Sequence, residues 1–430
     1  DEAESRLAGV ADAWLHHDRP IHVACDDSVV QLDDSADEVT VQPIRRSRGY
    51  APMPVRLPFT SGAALAVGGE LKATVCAAVG QHAWLSQHLG DVASQETLTA
   101  LERAVEVLLS LTRVGPEVVV ADLHPGYLSQ RWAKEYARSR GLGCLLVQHH
   151  HAHLASLLAE HGVAAGQPVI GFTFDGTGYG ADGSIWGGEV LVGSYAGVER
   201  VGHLKPVPLP GGDAAVRRPA RVALSHLRAA AIDWDPAIPA VAATDEVERR
   251  VVSGMLRSGT GCVPTTSMGR LFDAVAAIAG VCQDVGYEGQ AAIELEVVSR
   301  WASSDGVSRS GSSGIVVGDD LVLDPAPFLS RCVADVVAGV PAARVGRAFH
   351  EAVAQAVATV AERVRGSTGV DTVGLSGGVF QNRLLTTLTR ASLESAGFTV
   401  LVHRTVPPND AGLALGQVAV AASGGAQERV

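Results

Sequence analysis

Apolar and polar positions along this chain switch between a period of two and a helical period, and the switches mark its elements. From about residue 60, apolar runs over 63–68 and 71–78 flank the turn pair Gly68-Gly69 and, with a third short run, predict a β meander. Helical spacing over 96–111, an apolar run over 117–121 and helical spacing over 127–138 follow. The run Cys144-Leu145-Leu146-Val147 predicts a strand, and the apolar stretch Leu154-Ala155-Ser156-Leu157-Leu158 predicts a helix that starts near His149. Residues 169–174 form a further strand, ending in Asp175-Gly176-Thr177-Gly178. The C-terminal part repeats the logic: a helix over about 344–365, a strand over 372–375, a helix over 379–396, a strand over 398–402 and a helix over 411–421. Two α/β halves, each with a Gly-rich turn at a strand end, suggest a nucleotide cleft between them.

The flanks read differently. Within 1–55 the pattern predicts a short amphipathic helix over about 5–15, a strand at Ile21-His22-Val23-Ala24, and a basic segment, Arg45-Arg46-Ser47-Arg48-Gly49-Tyr50. The Pro-rich stretch 52–58 then reads as a linker. Residues 200–340 are less regular, and their Ser/Gly-rich stretch from Ser303 to Gly314 reads as a loop.

Composition narrows the class. At 430 residues the chain is too long for one compact core, so two or three domains are expected. Hydrophobic residues at 47% against charged ones at 19% describe a folded α/β chain, not a disordered one. A formal net charge of −12 argues against a broad nucleic-acid-binding face. An anionic nucleotide would therefore need local neutralisation by backbone amides, a metal or particular Arg residues. The six Cys, at 25, 76, 144, 262, 282 and 332, include no C-x-x-C pair; they indicate neither a disulfide framework nor a zinc finger and fit a reducing cytoplasm. No apolar run approaches membrane-spanning length, and the start Asp1-Glu2-Ala3-Glu4-Ser5 lacks the charge and apolar core of a signal peptide. Without an initiator Met, the chain reads as a fragment or a processed form.

The chemistry-bearing positions each leave two readings open. His149 and His153, one helical turn apart, share a face, while His150 and His151 are rotated off it. Such a pair is a recurrent metal holder, and the bland alternative is a His-rich helix start that meets solvent. In Asp175-Gly176-Thr177-Gly178-Tyr179-Gly180 the glycines would let amides approach a phosphate and the Asp could bind a metal; a plain β-turn explains the motif equally well. Ser376-Gly377-Gly378 leads into a helix, as a phosphate or ribose site or as a simple cap. Asp410, in Pro407-Pro408-Asn409-Asp410, is either an N-cap or the completion of a metal site begun by His149 and His153. Asp273, after Gly269-Arg270, could bond ribose hydroxyls or be a solvated cap. His124, in Asp122-Leu123-His124-Pro125, is a structural hydrogen-bonder or a catalyst. A G-x-S-x-G elbow, a Walker loop and carboxylates paired at glycosidase-like spacing are all missing.

Taken in order, these segments resemble the HypF carbamoyltransferases, which mature NiFe hydrogenases. The matching text is DDSVV at 26–30, RRSRGYAP at 45–52, ADLHPGYLSQRWA at 121–133, VQHHHAHLAS at 147–156 and FDGTGYGADGSIWGGE at 174–189. It continues with SMGRLFDAVAAIAG at 267–280, YEGQAAIELE at 287–296, LSGGVFQN at 375–382 and NDAGLALGQ at 409–417. The resemblance implies an actin-like (ASKHA) two-lobed α/β nucleotide-binding fold, akin to the TsaD family. It also implies a YrdC-like remnant over 1–55, a first lobe over 60–200, an insertion with nucleotide-contacting helices over 201–340 and a second lobe over 341–430. The family's acylphosphatase-like part and CxxC fingers have no counterpart here.

In that family, carbamoyl phosphate and ATP give carbamoyl-adenylate, and the carbamoyl group passes to a C-terminal Cys thiol of the partner HypE. The resemblance therefore implies a HypE-type acceptor, ATP or carbamoyl-adenylate, and a divalent metal, Fe or Zn (Mn suits the donors too), with Mg accompanying the nucleotide. It places metal ligands at His149, His153, Asp175 and Asp410, and catalytic roles at His149, His153 and His124. Nucleotide contacts fall on Gly176, Thr177, Gly178, Gly269, Arg270, Asp273, Glu288, Gly377, Gly378 and Asn382. No nucleic acid, no membrane and a cytoplasmic location are expected. With so little of the YrdC-like domain, the chain is expected to use preformed carbamoyl-adenylate and to make it poorly.

Three other readings compete. O-carbamoylation of a small-molecule hydroxyl is the first; in such relatives the transferase-like part precedes the YrdC-like one, so the order here favours the thiol. A non-catalytic nucleotide-binding module is the second, opposed by the intact ligand types at 149, 153, 175 and 410. A tRNA-modifying role is the third, opposed by the charge of −12 and by the motifs.

Overall fold

The computed structural model describes residues 2–33, 40–302, 314–425 and 428–429. A short helix, α1 (Glu2–Arg6), precedes a two-stranded antiparallel ribbon of β1 (Val29–Asp33) and β2 (Thr40–Arg45). Of the helix expected over about 5–15 only Ser5 and Arg6 are helical, as the end of α1, and residues 21–24 form no strand. Several apolar side chains there, among them Leu15 and Ile21, are exposed, so burial does not stabilise regular structure.

A five-stranded sheet follows, ordered β16-β6-β5-β3-β4. Its strands are β3 (Pro54–Ala66), β4 (Cys76–Leu85), β5 (Val118–Asp122), β6 (Gly143–Val147) and β16 (Glu428–Arg429). The Pro-rich stretch is no linker: Pro54 and Pro58 lie in β3, whose pairing to β4 breaks register between Arg56 and Ser61. The expected meander is a β3–β4 hairpin with a long connection over 67–75, and the next strand, β5, runs parallel to β3. Two helices cover this sheet. In α2 (Gln95–Thr112), Ser94 and Thr97 form a capping box and Leu101, Ala104, Val105 and Leu108 make the buried stripe. The other is α3 (Leu128–Arg140).

The second sheet has nine strands, with the path β12-β13-β9-β8-β7-β14-β15 and β10–β11 attached through β8. They are β7 (Val169–Tyr179), β8 (Ile185–Ser194), β9 (Gly197–Leu204), β10 (Val207–Pro210), β11 (Cys262–Thr265), β12 (Val316–Val317), β13 (Val322–Asp324), β14 (Thr372–Ser376) and β15 (Thr399–Val402). Strands β7, β14 and β15 are parallel, with Ser376 opposite Thr173. The expected first lobe, 60–200, therefore spans both sheets, because β7 to β9 pair with β14 and not with β3 to β6. Periodicity identifies a strand but not its partner. The two Gly-rich turns likewise do not come from separate halves: they follow neighbouring strands of one sheet.

Around this sheet lie α5 (Asp213–Val216), α6 (Pro219–Ala229), α7 (Pro239–Ala242), α8 (Glu246–Ser258), α9 (Met268–Ile278), α10 (Gln290–Ser299), α11 (Ala326–Val337), α12 (Ala342–Thr368) and α13 (Arg383–Ser395). The middle of the chain is more regular than its pattern suggests. The loop expected at 303–314 lies, apart from Gly314, outside the described residues. The helix expected over 379–396 is split into a 3-10 turn over Gly378–Gln381 and α13, because Asn382 is extended and caps α13.

Two helices sit between the sheets, α4 (His149–Glu160) and α14 (Leu413–Ala422), and their apolar residues form one core with side chains of β3 to β8. Every residue of α4 from His149 to Ala159 is buried, so this is an interior helix and not the solvent-facing start of the bland reading. Gly416 lets the pair approach: a Cβ there would lie 1.8 Å from the Ala152 carbonyl oxygen. Each fully buried Leu in this layer contributes roughly 2 kcal/mol. No helix among the described residues is long and apolar enough to cross a membrane, and all six cysteines are free.

Candidate metal and nucleotide site

An interior helix that begins with three consecutive His residues must satisfy their ring nitrogens inside the protein. His151 does so at the Ser194 carbonyl, Nε2 to O 2.9 Å. His150 meets Gln148 at 3.3 Å with Nδ1, while its Nε2 has no hydrogen-bond partner among the described residues. His149 and His153 instead converge on two carboxylates. Their Nε2 atoms lie 3.4 and 3.2 Å from Asp175 Oδ2, and 3.7 and 3.6 Å from Asp410 Oδ1.

Each carboxylate is delivered by a separate device. Asp175 lies within β7 where pairing to β8 shifts register, so β7 continues through the expected turn to Tyr179. Its Oδ1 accepts the amides of Gly176 at 2.8 Å and Gly378 at 3.2 Å, leaving Oδ2 for the histidines. Asp410 is not the N-cap. Asn409 takes that role, accepting from the Ala411 amide at 3.0 Å, and this releases the Asp410 carboxylate. The expected last helix accordingly opens with a 3-10 turn over Asp410–Gly412 before α14.

The donor set fits a divalent transition metal. Around an ion with bonds of about 2.0–2.2 Å, neighbouring donor atoms are roughly 3.0–3.6 Å apart. The four donor atoms of His149, His153, Asp175 and Asp410 all lie within 4.8 Å of one another, and all four residues are buried. Two imidazoles and two carboxylates suit Fe(II), Zn or Mn. Beyond them, Asp122 Oδ2 holds His149 Nδ1 at 2.8 Å, so that Nε2 presents its lone pair to the cluster. Burial opposes charge on His149, but Asp122 and Asp410 outweigh it and raise its pKa well above the ordinary value. Burial also opposes ionisation of Asp175, yet hydrogen bonds from His149 and His153 hold its carboxyl well below the usual range.

The nucleotide candidates flank this cluster. Gly176, Thr177 and Gly178 form the end of β7, and Ser267 ties Gly176 to the start of α9, its Oγ donating to the carbonyls of Asp175 and Gly176 at 2.9 and 2.8 Å. A Cβ on Gly269 would lie 2.8 Å from the Gly176 Cα, so α9 begins against this segment. Arg270 pairs with Asp273 at 3.0 Å, and burial pushes the Asp273 carboxyl up to about 6 against the pull of Arg270. Gly377 and Gly378 lie beside Asp175 through the parallel pairing of β14 with β7. Asn382 is turned inward: Oδ1 caps α13 at the Leu385 amide, 2.9 Å away, and Nδ2 lies 2.8 Å from His350 Nε2. Glu288 is exposed and pairs with Lys72. His124 lies outside the cluster, stacked on Tyr127 at 4.1 Å, with Nδ1 accepting from the Gly126 amide at 3.0 Å.

Sequence reasoning missed two residues. Asp122 showed no signal beyond its position at a strand end; only the register that sets it opposite Val147 in β6 reveals it as the partner of His149. Lys72 stands at φ +47, in the left-handed region, and its ammonium joins Glu288, a residue that belongs to the other sheet's helical layer. Burial disfavours its charge, but Glu288 and Asp410 outweigh it and raise the pKa.

Comparison with known proteins places this geometry in a family. The description "HypF Kae1-like domain" matches residues 60–160, and "Carbamoyltransferase, Kae1-like Domain, second subdomain" matches 171–417. Carbamoyltransferase HypF2 of Cupriavidus necator is 40% identical over 452 residues, covering 98% of this chain and 54% of its own length. A HypF homolog from the same bacterium is 38% identical over 360 residues, covering 83% of this chain and 91% of its own. The crystal structure of a full-length HypF in a phosphate- and nucleotide-bound form superposes with a TM-score of 0.87 at 38% identity, over 98% of this chain and 64% of that one. The chain spans about half the length of the longer curated relatives that it matches. The expected actin-like two-lobed nucleotide-binding fold is borne out.

Proposed function

This chain belongs to the HypF carbamoyltransferase family, and we propose that it transfers a carbamoyl group from carbamoyl-adenylate to a protein thiol. The acceptor in this reading is the C-terminal Cys of a HypE-type partner, and the adenylate comes from carbamoyl phosphate and ATP. One observation supports it above the rest: a buried two-His, two-Asp cluster stands directly beside the Gly176 and Gly378 amides.

His149, His153, Asp175 and Asp410 would hold the metal, which when bound supplies positive charge to the phosphate and to the carbamoyl oxygen. The chain's own groups do the remainder. The Gly176 and Gly377 turns would let the nucleotide approach the backbone, their own amides being taken by Asp175 Oδ1 and the Pro408 carbonyl, and the Arg270–Asp273 pair would orient it. Asp122 fixes the His149 ring. His124, held below its ordinary pKa first by burial, accepts the Gly126 amide at Nδ1, so its Nε2–H would donate to the substrate, and the thiol proton would pass to solvent. The thiolate sulfur bonds to the carbamoyl carbon, the bond from that carbon to the phosphate oxygen breaks, and AMP leaves.

Two assays with a HypE-type acceptor test this reading, one started from radiolabelled carbamoyl-adenylate and one from labelled carbamoyl phosphate with ATP. Label on the acceptor Cys in the first is expected, and no transfer in either would overturn the transferase reading.

A further inference from the structure

A buried polar chain outside the ligand set runs from the far end of α4 to the loop that delivers Asp410. Glu160, the last residue of α4, has a side chain 2% exposed, and its carboxylate accepts the backbone amides of Arg404 at 2.7 Å, Val406 at 2.9 Å and Thr405 at 3.4 Å. Its Oε2 lies 3.3 Å from His403 Nδ1, and His403 Nε2 lies 2.9 Å from Ser376 Oγ. Ser376, the last residue of β14, also reaches the His153 carbonyl, Oγ to O 3.0 Å. The chain thus begins and ends on α4, passing through the loop and through β14.

A serine, a histidine and a carboxylate in this order match the connectivity of an acyl-transfer triad. The setting rules that out as a use. Ser376 is wholly buried and His403 is 2% exposed, so no acyl group reaches the hydroxyl. The carboxylate also stands at the C-terminus of a helix, where the backbone dipole disfavours negative charge. Burial raises its pKa further, yet His403 and the loop amides outweigh both and hold Glu160 below the usual carboxylate range.

What the chain does control is the loop over 403–409. Pro407 and Pro408 have no N–H, so this loop has few donors of its own with which to be pinned. The amides it does have at 404 to 406 all go to Glu160. At its other end the Pro408 carbonyl accepts the Gly377 amide at 3.0 Å, and the adjacent Gly378 amide holds Asp175 at 3.2 Å. The two anchors bracket the path to Asp410. His149, His153 and Asp175 are placed by a helix and a sheet register; Asp410 alone among the four stands where a loop ends, as the first residue of the 3-10 turn before α14.

We infer that Glu160, His403 and Ser376 are positioning residues that lock this loop onto α4 and so set the reach of Asp410 toward His149 and His153. The inference rests on the metal reading of the cluster. It predicts that loosening the chain changes the coordination of a bound ion even when the protein stays folded.

The test uses the full chain and its Glu160→Gln, His403→Gln and Ser376→Ala variants, with zinc affinity measured by competition against a chelating dye. The visible spectrum of the cobalt(II) form reports coordination geometry. Ser225→Ala, which removes a buried hydroxyl bonded to the Pro208 carbonyl between α6 and β10 of the same sheet, controls for lost stability alone. About tenfold weaker zinc binding and altered cobalt bands are expected in Glu160→Gln and Ser376→Ala, with neither in Ser225→Ala. Affinity within twofold of the parent and unchanged bands would overturn the inference, as would losses that merely track the melting temperature in the control. Should Glu160→Gln fail to fold, the two milder variants decide. The parallel arm is His149→Ala with His153→Ala: if the parent binds no zinc, or this double variant binds as well as the parent, the metal reading fails and the inference falls with it. If only the double variant loses zinc, the positioning chain alone is refuted.

Discussion

Asp122 Oδ2 lies 2.8 Å from His149 Nδ1, and both side chains are fully buried. The same carboxylate accepts the His124 amide through Oδ1 at 2.8 Å, so one Asp orients the helix histidine and fixes the turn that carries His124. Replacing it with Asn keeps the shape and removes the charge that selects the His149 tautomer. Asp122→Asn is expected to weaken metal binding by about tenfold to a hundredfold while the chain remains folded. Titration with zinc followed by circular dichroism checks both parts; full affinity in the variant would show that the tautomer is set elsewhere.

Metal removal should register as lost stability. Two imidazoles and two carboxylates packed within 4.8 Å would be compensated by an ion in the folded state only. At a zinc concentration about 100 times the dissociation constant, the stabilisation is about 2.7 kcal/mol. Melts with zinc and with excess chelator are expected to separate accordingly, and the separation should vanish when His149 and His153 are both Ala.

The two Gly turns respond differently to substitution. Gly377 has φ +97, and a Cβ there would lie 2.2 Å from the Phe174 carbonyl oxygen, so Gly377→Asp strains the backbone before any charge acts and is expected to destabilise by about 2 kcal/mol or more. Gly176 has an ordinary φ, and the nearest atom to its Cβ position is Arg270 Nη2 at 3.6 Å. Gly176→Ala is therefore the informative variant. It should keep the melting temperature within a few degrees and weaken adenine-nucleotide binding by about tenfold, as read by calorimetry. Unchanged nucleotide affinity would remove Gly176 from the site.

Acid should destabilise the chain before its carboxylates titrate. Burial lowers the pKa of His226 to about 4, and burial first among several causes lowers that of His350 to about 4. Both are neutral in the fold and charge more readily when unfolded. A depressed folded pKa means the stability is fully present above about 6.5 and is lost as pH falls from there toward 4. Each site can cost about 3 kcal/mol over that window. Both His226 ring nitrogens lack a hydrogen-bond partner among the described residues, so His226→Leu is expected to narrow the difference between melts at pH 7 and pH 5. An unchanged difference would assign the acid sensitivity to other groups.

Local pattern alone determined the central pair of the site. The spacing of His149 and His153 on a helix entering an apolar run needs no tertiary information, since i and i+4 share a face in any α-helix. The same holds for α2, α3 and α12, where the apolar stripe is read from neighbours in the chain. Tertiary structure decided which carboxylates meet that pair. Asp175 arrives because β7 lies parallel to β14, and Asp122 because β5 sits in register with β6. Asp410 arrives because Asn409 took the capping role that the sequence left open to either residue. Register, sheet membership and loop anchoring are contacts between segments far apart in the chain, set by a packing optimum over the whole core. Periodicity reports only which face of an element is apolar, and so it could mark β7 as a strand without showing that it pairs with β14.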